Sequence, residues 1–240
     1  MDELSVVADD GVRLHVAACG SGPDVVVLSG GPGCVHYLAD EALAPRGVRA
    51  WFPDPRGVGR SEGGAHPMAR AVADLEAVRA AAGVERWVVL GHSWGGDLAV
   101  RYALDAPHAV RGVVSVAMHG LHRDRSWAEA YEAAKDDDPG PDIPFSDTVW
   151  RSLRASFAEW IHEPGLWRAL ADSPVPVYVV TAGDDIRPAW PHAQLAALVP
   201  RGSHEVVPGV PHDLWHTHPD RWVEVVTRAC ADLSQSSQSA

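Results

Sequence analysis

Short apolar runs alternate with segments of helical period along most of the chain. The runs DVVVLSG, VRAWF, RWVVL, GVVSVAM and PVYVVTAG are nearly continuous in apolar residues, which is typical of strands buried on both faces of a parallel sheet. Between them, MARAVADLEAVRAAAG places Val72, Leu75 and Val78 at helical spacing, and GGDLAVRYALDAP predicts a helix that ends before Pro107. This alternation predicts an α/β protein with helices on both faces of a mostly parallel sheet.

The two ends of the chain and its middle depart from this rhythm. LSVVA and RLHVAA predict a first hairpin, and HAQLAALVP, HEVVP and DRWVEVVTRACADL predict a short helix, a last strand and a closing helix. The segment 119–173 is helical in pattern, rich in Trp and interrupted by KDDDPGPDIP. We therefore predict a core of residues 1–118 and 174–233, a helical cap insertion at 119–173 and a flexible tail at 234–240.

Composition narrows the class of protein. Of the 240 residues, 46% are hydrophobic and 22% are charged, as in ordinary globular domains, and we predict one domain. The net charge is −12 with no block of Lys or Arg, so neither nucleic acid nor a membrane is an expected partner. Three widely spaced cysteines, an acidic amino terminus and the lack of a long apolar run favour a cytoplasmic protein. The expected partner is a small-molecule substrate. Nothing in the sequence predicts the oligomeric state.

The stretch GHSWGG combines a strand, a serine and a helix in one place. Gly91 and Gly95 stand two residues on either side of Ser93, directly after RWVVL and before LAVRYAL. This is the G-x-S-x-G pattern of a nucleophile elbow, in which a serine sits on a tight turn whose neighbours must lack bulk. Ser93 is therefore the candidate nucleophile.

A serine nucleophile needs a base and an acid that orients the base. In this architecture the chain order is serine, then Asp or Glu, then His. AGDDIRP follows a predicted strand and offers Asp185 or Asp184 as the acid. His212 lies in the loop between the last strand and the closing helix and is the candidate base.

The other histidines are weaker candidates. His92 adjoins the serine in a tight turn, where neighbouring side chains cannot align, and His216 and His218 fall at the start of the closing helix. The spacing H-x-x-x-H-x-H from His212 could suggest a metal site, but no carboxylate or Cys supports it. We expect no metal and no cofactor.

Two backbone amides are expected to form an oxyanion hole. One is the N–H of Trp94, directly after the nucleophile, and the other belongs to the loop SGGPGCVH after the third strand, where Gly31 is the candidate.

Together, LSGGPG, DPRGVGRS, GHSWGG, AGDDIRP and GVPHDLW resemble the α/β-hydrolase superfamily, and within it the branch that contains the prolyl iminopeptidases. The resemblance implies an eight-stranded, mostly parallel sheet flanked by helices, with a short helical cap. It also implies the triad Ser93, Asp185 and His212, with Asp184 as the alternative acid, and oxyanion amides from Gly31 and Trp94. Asp54 and Arg56 match a structural turn of the family.

The chain departs from the family pattern in three ways. Ser29 replaces the His that usually begins the oxyanion loop, the residues around the nucleophile differ from those of true prolyl iminopeptidases, and the insertion is short. In that branch the cap supplies carboxylates for the substrate's free amine. Four cap residues are candidates for this role and are equally consistent with a solvated helix face: Glu129, Glu132, Glu159 and Glu163.

These features predict a cofactor-free serine hydrolase that cleaves a small ester or amide, with an apolar acyl or an aminoacyl group. Alternatives are a thioesterase or acyltransferase with the same triad, and a ligand-binding protein on a hydrolase scaffold. Relatives with an aspartate nucleophile are disfavoured by Ser93. Besides Trp94, the residues expected to line an apolar pocket, or else to be structural, are Trp127, Trp160, Trp190 and Trp215.

Overall fold

The computed structural model describes residues 1–138 and 140–235, in which eight strands form one sheet. The strand order is β1-β2-β4-β3-β5-β6-β7-β8; β1 pairs with β2 and β2 with β4 antiparallel, and all later neighbours are parallel. The strands are β1 (Asp2–Val7), β2 (Arg13–Gly20), β3 (Asp24–Leu28), β4 (Arg49–Pro53), β5 (Trp87–His92), β6 (Val110–Val116), β7 (Val177–Ala182) and β8 (Gly202–Val207). The mostly parallel eight-stranded sheet is therefore confirmed.

Helices cover both faces of this sheet. They are α1 (Met68–Ala81), α2 (Trp94–Asp105), α3 (Arg125–Ala134), α4 (Asp147–Trp160), α5 (Leu166–Ala171), α6 (Trp190–Leu198), α7 (Leu214–Thr217) and α8 (Pro219–Gln235). Short 3₁₀ turns occupy Glu41–Leu43 and Lys135–Asp137. No helix within the described ranges has the length and apolar character that a bilayer span requires.

The central strands are buried on both sides, as their unbroken apolar sequences predict. In β3, Val26 and Leu28 belong to a core layer shared with α1 and α2, whereas Val25 and Val27 belong to the opposite layer, which contains α8. Because side chains alternate across a strand, every position of such a strand must be apolar to be buried in this way.

The segment predicted to be a cap, 119–173, contains α3, α4 and α5, which follow β6 and precede β7. Val149, Leu153 and Phe157 of α4 are buried and join the core layer of α1 and α2. At the carboxyl terminus, α8 continues through Ser234 and Gln235, which were predicted to belong to the tail, and the hydroxyl of Ser234 donates to the carbonyl of Cys230 at 2.7 Å. The rest of the predicted tail, 236–240, lies outside the described residues.

The DPRGVGRS segment forms a buried turn next to β4. A carboxylate oxygen of Asp54 accepts the backbone N–H of Arg60 at 2.9 Å, and Arg56 pairs with Asp74 at 2.7 Å. Gly59 has φ 60°, and a Cβ there would lie 2.8 Å from the Asp54 carboxylate. These contacts agree with the structural interpretation of this motif.

Candidate active site

Ser93 lies on a strained turn between β5 and α2. Its φ of 54° and ψ of −127° are unusual for a residue with a side chain. A Cβ on Gly91 would lie 2.1 Å from the carbonyl oxygen of Gly95, and a Cβ on Gly95 would lie 2.4 Å from the carbonyl oxygen of Leu28. Glycine is therefore required at both positions, as the G-x-S-x-G pattern predicts.

His212 and Asp185 are joined by a short hydrogen bond at the carboxyl edge of the sheet. His212 Nδ1 lies 2.6 Å from Asp185 Oδ2, and both side chains are almost fully buried. Asp184 is exposed, and its backbone N–H donates to the carbonyl of Val210 at 2.9 Å. Of the two acids that the sequence left open, the structure brings Asp185 to the histidine.

The surroundings of Asp185 favour its charged form. Burial alone would raise the pKa of this carboxyl, but the hydrogen bond and charge of His212, together with Arg187, hold the pKa well below its usual range. Arg187 Nη1 lies 3.0 Å from Asp185 Oδ1. A charged carboxylate accepts the Nδ1–H of His212, which leaves Nε2 of the neutral imidazole as an acceptor.

His92 belongs to a hydrogen-bonded chain that sequence reasoning missed. The N–H of Gly30 donates to the hydroxyl of Tyr37 at 2.7 Å, and that hydroxyl lies 2.7 Å from His92 Nδ1. His92 Nε2 lies 3.0 Å from the carbonyl oxygen of His212. Every hydrogen-bonding group in this series has a partner when the Tyr37 hydroxyl donates to Nδ1 of His92 and the Nε2–H of His92 donates to the carbonyl of His212. His92 is neutral in this arrangement. Burial and then the charge of His212 lower the pKa of His92 to about 3, in agreement with this state.

The two residues predicted to supply the oxyanion amides, Gly31 and Trp94, line the same cavity as Ser93. Trp94 is the first residue of α2, so its N–H has no acceptor within the helix. Gly31 has φ 127°, and a Cβ there would lie 2.8 Å from the backbone nitrogen of Cys34. The neighbouring Ser29 is buried, and its hydroxyl has no hydrogen-bond partner within the described residues.

Two cavities meet at Ser93 and Gly31. The first, called here the aromatic cavity, has a volume of about 690 Å³ and lies between the sheet edge and helices α3 and α4. Its walls include Trp94, His119, His122, Trp127, Tyr131 and Phe157. The second, called here the polar cavity, has a volume of about 450 Å³ and is lined by polar and charged groups that include Tyr37, Lys135, Asp136, Asp138, His212 and Asp213.

Ser93 and His212 both line the polar cavity. Among the described residues no hydrogen bond joins Ser93 Oγ to the imidazole. In hydrolases without a bound substrate this hydrogen bond is often long and tightens only in the reacting complex.

The four tryptophans predicted to line a pocket lie in different surroundings. Trp127 is part of the aromatic cavity, and its indole N–H donates to the carbonyl of Pro188 at 2.9 Å. The guanidinium of Arg101 lies over the buried ring of Trp160, and the ring of Trp215 is stacked on that of Tyr37. Trp190 is 41% exposed, and its ring packs against that of His122. These three do not line either cavity because their rings pack into neighbouring layers or face solvent.

The cap carboxylates are mostly turned away from the site. Glu129 pairs with Arg125, Glu163 lies 3.6 Å from Arg101, and Glu159 is exposed. Glu132 lines the aromatic cavity, but its carboxylate pairs with Lys135. The four residues therefore do not converge on a site for an amine.

His92, His212 and Asp213 place one potential ligand atom each within 4.8 Å of one another. Both ring nitrogens of His92 are already hydrogen-bonded, and His212 Nδ1 is bound to Asp185. A metal ion here would have to displace these contacts. His216 and His218 of the H-x-x-x-H-x-H spacing are exposed.

The sequence of the chain is similar to those of known hydrolases. Residues 23–159 match the family model described as the α/β hydrolase fold. "Epoxide hydrolase 2" from Siraitia grosvenorii is 30% identical over 144 residues, which are 57% of this chain and 46% of that protein. "Proline iminopeptidase" from Xylella fastidiosa (strain Temecula1 / ATCC 700964) is 36% identical over 134 residues, which are 52% of this chain and 42% of that protein. The matched region thus spans less than half the length of these curated relatives.

Two solved structures superpose on almost the whole chain. An esterase from Exiguobacterium antarcticum superposes with a TM-score of 0.73 at 19% identity and covers 95% of this chain and 98% of its own. A hydrolase from Pseudomonas aeruginosa gives a TM-score of 0.74 at 21% identity, with 94% and 97% coverage. At such identities the likeness establishes the fold.

Proposed function

Because the chain belongs to the α/β-hydrolase fold family, we propose that it is a serine hydrolase that cleaves a small ester or amide bond through an acyl-enzyme. The observation that carries this proposal is the short hydrogen bond between His212 and Asp185 beside Ser93 on its strained turn. Nucleophile, acid and base follow one another along the chain in the order of the family, and each lies just after a strand of the parallel sheet ends.

The proposed reaction starts at Ser93. Its Oγ attacks the carbonyl carbon while Nε2 of His212 takes the hydroxyl proton, and Asp185 stabilises the resulting imidazolium. The backbone N–H groups of Gly31 and Trp94 stabilise the oxyanion of the tetrahedral intermediate. His212 then returns the proton to the leaving alcohol or amine, and Ser93 remains esterified by the acyl group.

Water completes the cycle. His212 takes a proton from the water molecule as it attacks the acyl carbon. The second tetrahedral intermediate then collapses while His212 returns that proton to Ser93 Oγ, which releases a carboxylic acid and restores the free serine. All of these proton transfers use groups that the chain itself supplies, so the proposed mechanism calls for no cofactor.

The residue on the elbow favours this chemistry over that of an aspartate nucleophile. An aspartate can displace at an alkyl carbon to give an ester that water cleaves, whereas a serine would form an ether by the same attack. Acyl transfer to Ser93 gives a hydrolysable ester, which supports hydrolysis of an ester or amide.

The test is covalent labelling with a fluorophosphonate, which reacts with activated serines without requiring the natural substrate. We expect one adduct, located by mass spectrometry on the peptide that contains Ser93, and loss of labelling in Ser93→Ala and in His212→Gln. Ser203→Ala, at an exposed position of β8, is the matched control and is expected to be labelled like the wild type. Labelling that survives in Ser93→Ala would refute the assignment of the nucleophile.

A further inference from the structure

The two cavities differ in their access to the proposed base. Ser93 and Gly31 line both, but His212 lines only the polar cavity and Trp94 lines only the aromatic cavity. The leaving group must reach His212 to receive its proton. The leaving group is therefore directed into the polar cavity, which leaves the aromatic cavity for the acyl group.

The aromatic cavity contains positive charges without a carboxylate partner. Arg123 and Arg154 are exposed residues that line it, and within the described residues neither guanidinium lies within ion-pair distance of a carboxylate. Arg187, the third arginine of the wall, is already paired with Asp185. Arg154 instead lies over the ring of Trp150, 5.6 Å from its centroid.

The two carboxylates that line this cavity, those of Asp124 and Glu132, offset the charges of its three arginines only in part. Asp124 accepts the backbone N–H of Trp127 at 2.8 Å as the N-cap of α3, and Glu132 pairs with Lys135. His119 in the same wall has its pKa lowered to about 4, first by burial and further by the charges of His122, Arg154 and Arg187. The cavity is thus biased toward a negatively charged occupant.

The remaining wall suits a planar group. The rings of Trp127 and Tyr131 are stacked with centroids 5.7 Å apart, and His119 and His122 lie parallel at 5.1 Å. Phe157 closes another side, with its centroid 5.2 Å from that of Trp94. Aromatic side chains around a cavity favour flat apolar groups, and arginine binds carboxylates through paired N–H donors.

We infer that the acyl group of the substrate is aromatic, lies in the aromatic cavity and carries a second carboxylate that Arg154 and Arg123 bind. The inference rests on the proposed serine hydrolase function and specifies its substrate class. It also implies that an aminoacyl group is a poor fit, because its cationic amine would lie among unpaired arginines.

The experiment compares two esters with the same leaving group, 4-nitrophenyl phenylacetate and 4-nitrophenyl 4-carboxyphenylacetate. We expect the wild type to favour the carboxylated ester by about 10- to 100-fold in kcat/KM, mainly through KM, as for one charge-assisted contact. Arg154→Ala is expected to lose most of this preference, with a smaller loss in Arg123→Ala. Arg151→Ala is the matched control, since Arg151 lies on α4 one turn earlier, pairs with Asp147 at 3.0 Å and does not line the cavity.

A second measurement does not depend on turnover. Free 4-carboxyphenylacetate should slow fluorophosphonate labelling of Ser93 more than phenylacetate does, and Arg154→Ala should abolish the difference. Equal handling of the two esters and equal protection by the two acids would overturn the inference while leaving the serine hydrolase standing. Preference for proline β-naphthylamide over both esters would overturn it as well. Failure of the proposed function itself would appear separately, as absence of labelling at Ser93.

Discussion

The loops at the carboxyl ends of the strands and the cap differ in how their polar side chains are bound. At the sheet edge, His212 is bound to Asp185, and His92 is bound at both ring nitrogens. In the cap, Arg154 has an aromatic ring beneath it and no carboxylate partner among the described residues. A side chain whose hydrogen bonds are all made within the protein keeps one geometry. A side chain that is left to bind a ligand can be substituted at low cost to the stability of the fold.

Helix packing explains why the two regions can differ. In α2, Asp97 and Tyr102 are fully buried together with apolar neighbours, so a substitution there disturbs the core. In α4, Val149, Leu153 and Phe157 face the core while Arg154 is exposed on another side of the same helix. We therefore expect the geometry of the proposed catalytic residues to depend on the core, and acyl specificity to depend on the cap.

Asp185→Asn is expected to give the largest effect, because it breaks the contact that orients the base. An amide at this position favours the wrong tautomer of His212, and kcat/KM for an activated ester should fall by about 10³- to 10⁴-fold. The measurement is steady-state hydrolysis of a 4-nitrophenyl ester, together with the rate of fluorophosphonate labelling.

Asp184→Asn is the matched control for this substitution. Its side chain is exposed, and its engaged backbone N–H is unaffected by the change, so kcat/KM should stay close to that of the wild type. A larger loss in Asp184→Asn than in Asp185→Asn would show that the acid had been assigned to the wrong residue.

Asp97→Asn addresses the junction between the two regions. Asp97 is completely buried one turn after Ser93 and accepts the backbone N–H groups of Gly120 at 3.0 Å and His119 at 3.2 Å, where the cap begins. Burial raises the pKa of Asp97 to about 7. Since its pKa in the unfolded chain is near 3.9, the native state binds more protons, and Asp97 makes stability fall as pH rises from about 4 to about 7.

The substitution should remove this dependence. We expect the free energy of unfolding of the wild type, relative to Asp97→Asn, to drop by about 2 to 4 kcal/mol between pH 4 and pH 8, measured by urea unfolding. Asp105→Asn, on the same helix but at the surface beside Arg101, should leave the pH dependence close to that of the wild type. Parallel curves for the wild type and Asp97→Asn would contradict the raised pKa.

The sequence predicted the structure best at buried positions, where few residue types can be accommodated. Unbroken apolar runs predicted the central strands, and Gly91 and Gly95 predicted the tight turn, because any Cβ there meets backbone atoms. Asp184 and Asp185 could not be separated in this way, since both follow the same strand. Only the path of the loop shows which carboxylate faces His212.

Contacts between distant segments were beyond prediction for the same reason. The sequence analysis judged His92 by its place in the turn, but the hydroxyl that binds it belongs to Tyr37, 55 residues earlier. Large apolar side chains are ambiguous in a similar way: Trp127 and Trp160 both lie in cap helices, yet one lines a cavity and the other is buried against Arg101. A tryptophan stabilises a core or a pocket wall equally well, so its sequence context cannot decide.

Tyr37→Phe is expected to give the smallest effect. It tests whether the series of hydrogen bonds that links Gly30, Tyr37, His92 and His212 positions the proposed active site. The substitution leaves the N–H of Gly30 and Nδ1 of His92 without their shared partner, next to the proposed oxyanion residue Gly31. We expect kcat to fall about tenfold with little change in KM, because one hydrogen-bond network is loosened while the aromatic cavity is untouched. Tyr178→Phe, which also loses one partly buried hydrogen bond, to Glu205 between β7 and β8, should match the wild type in kcat. Equal losses in both variants would mean that Tyr37 serves stability alone.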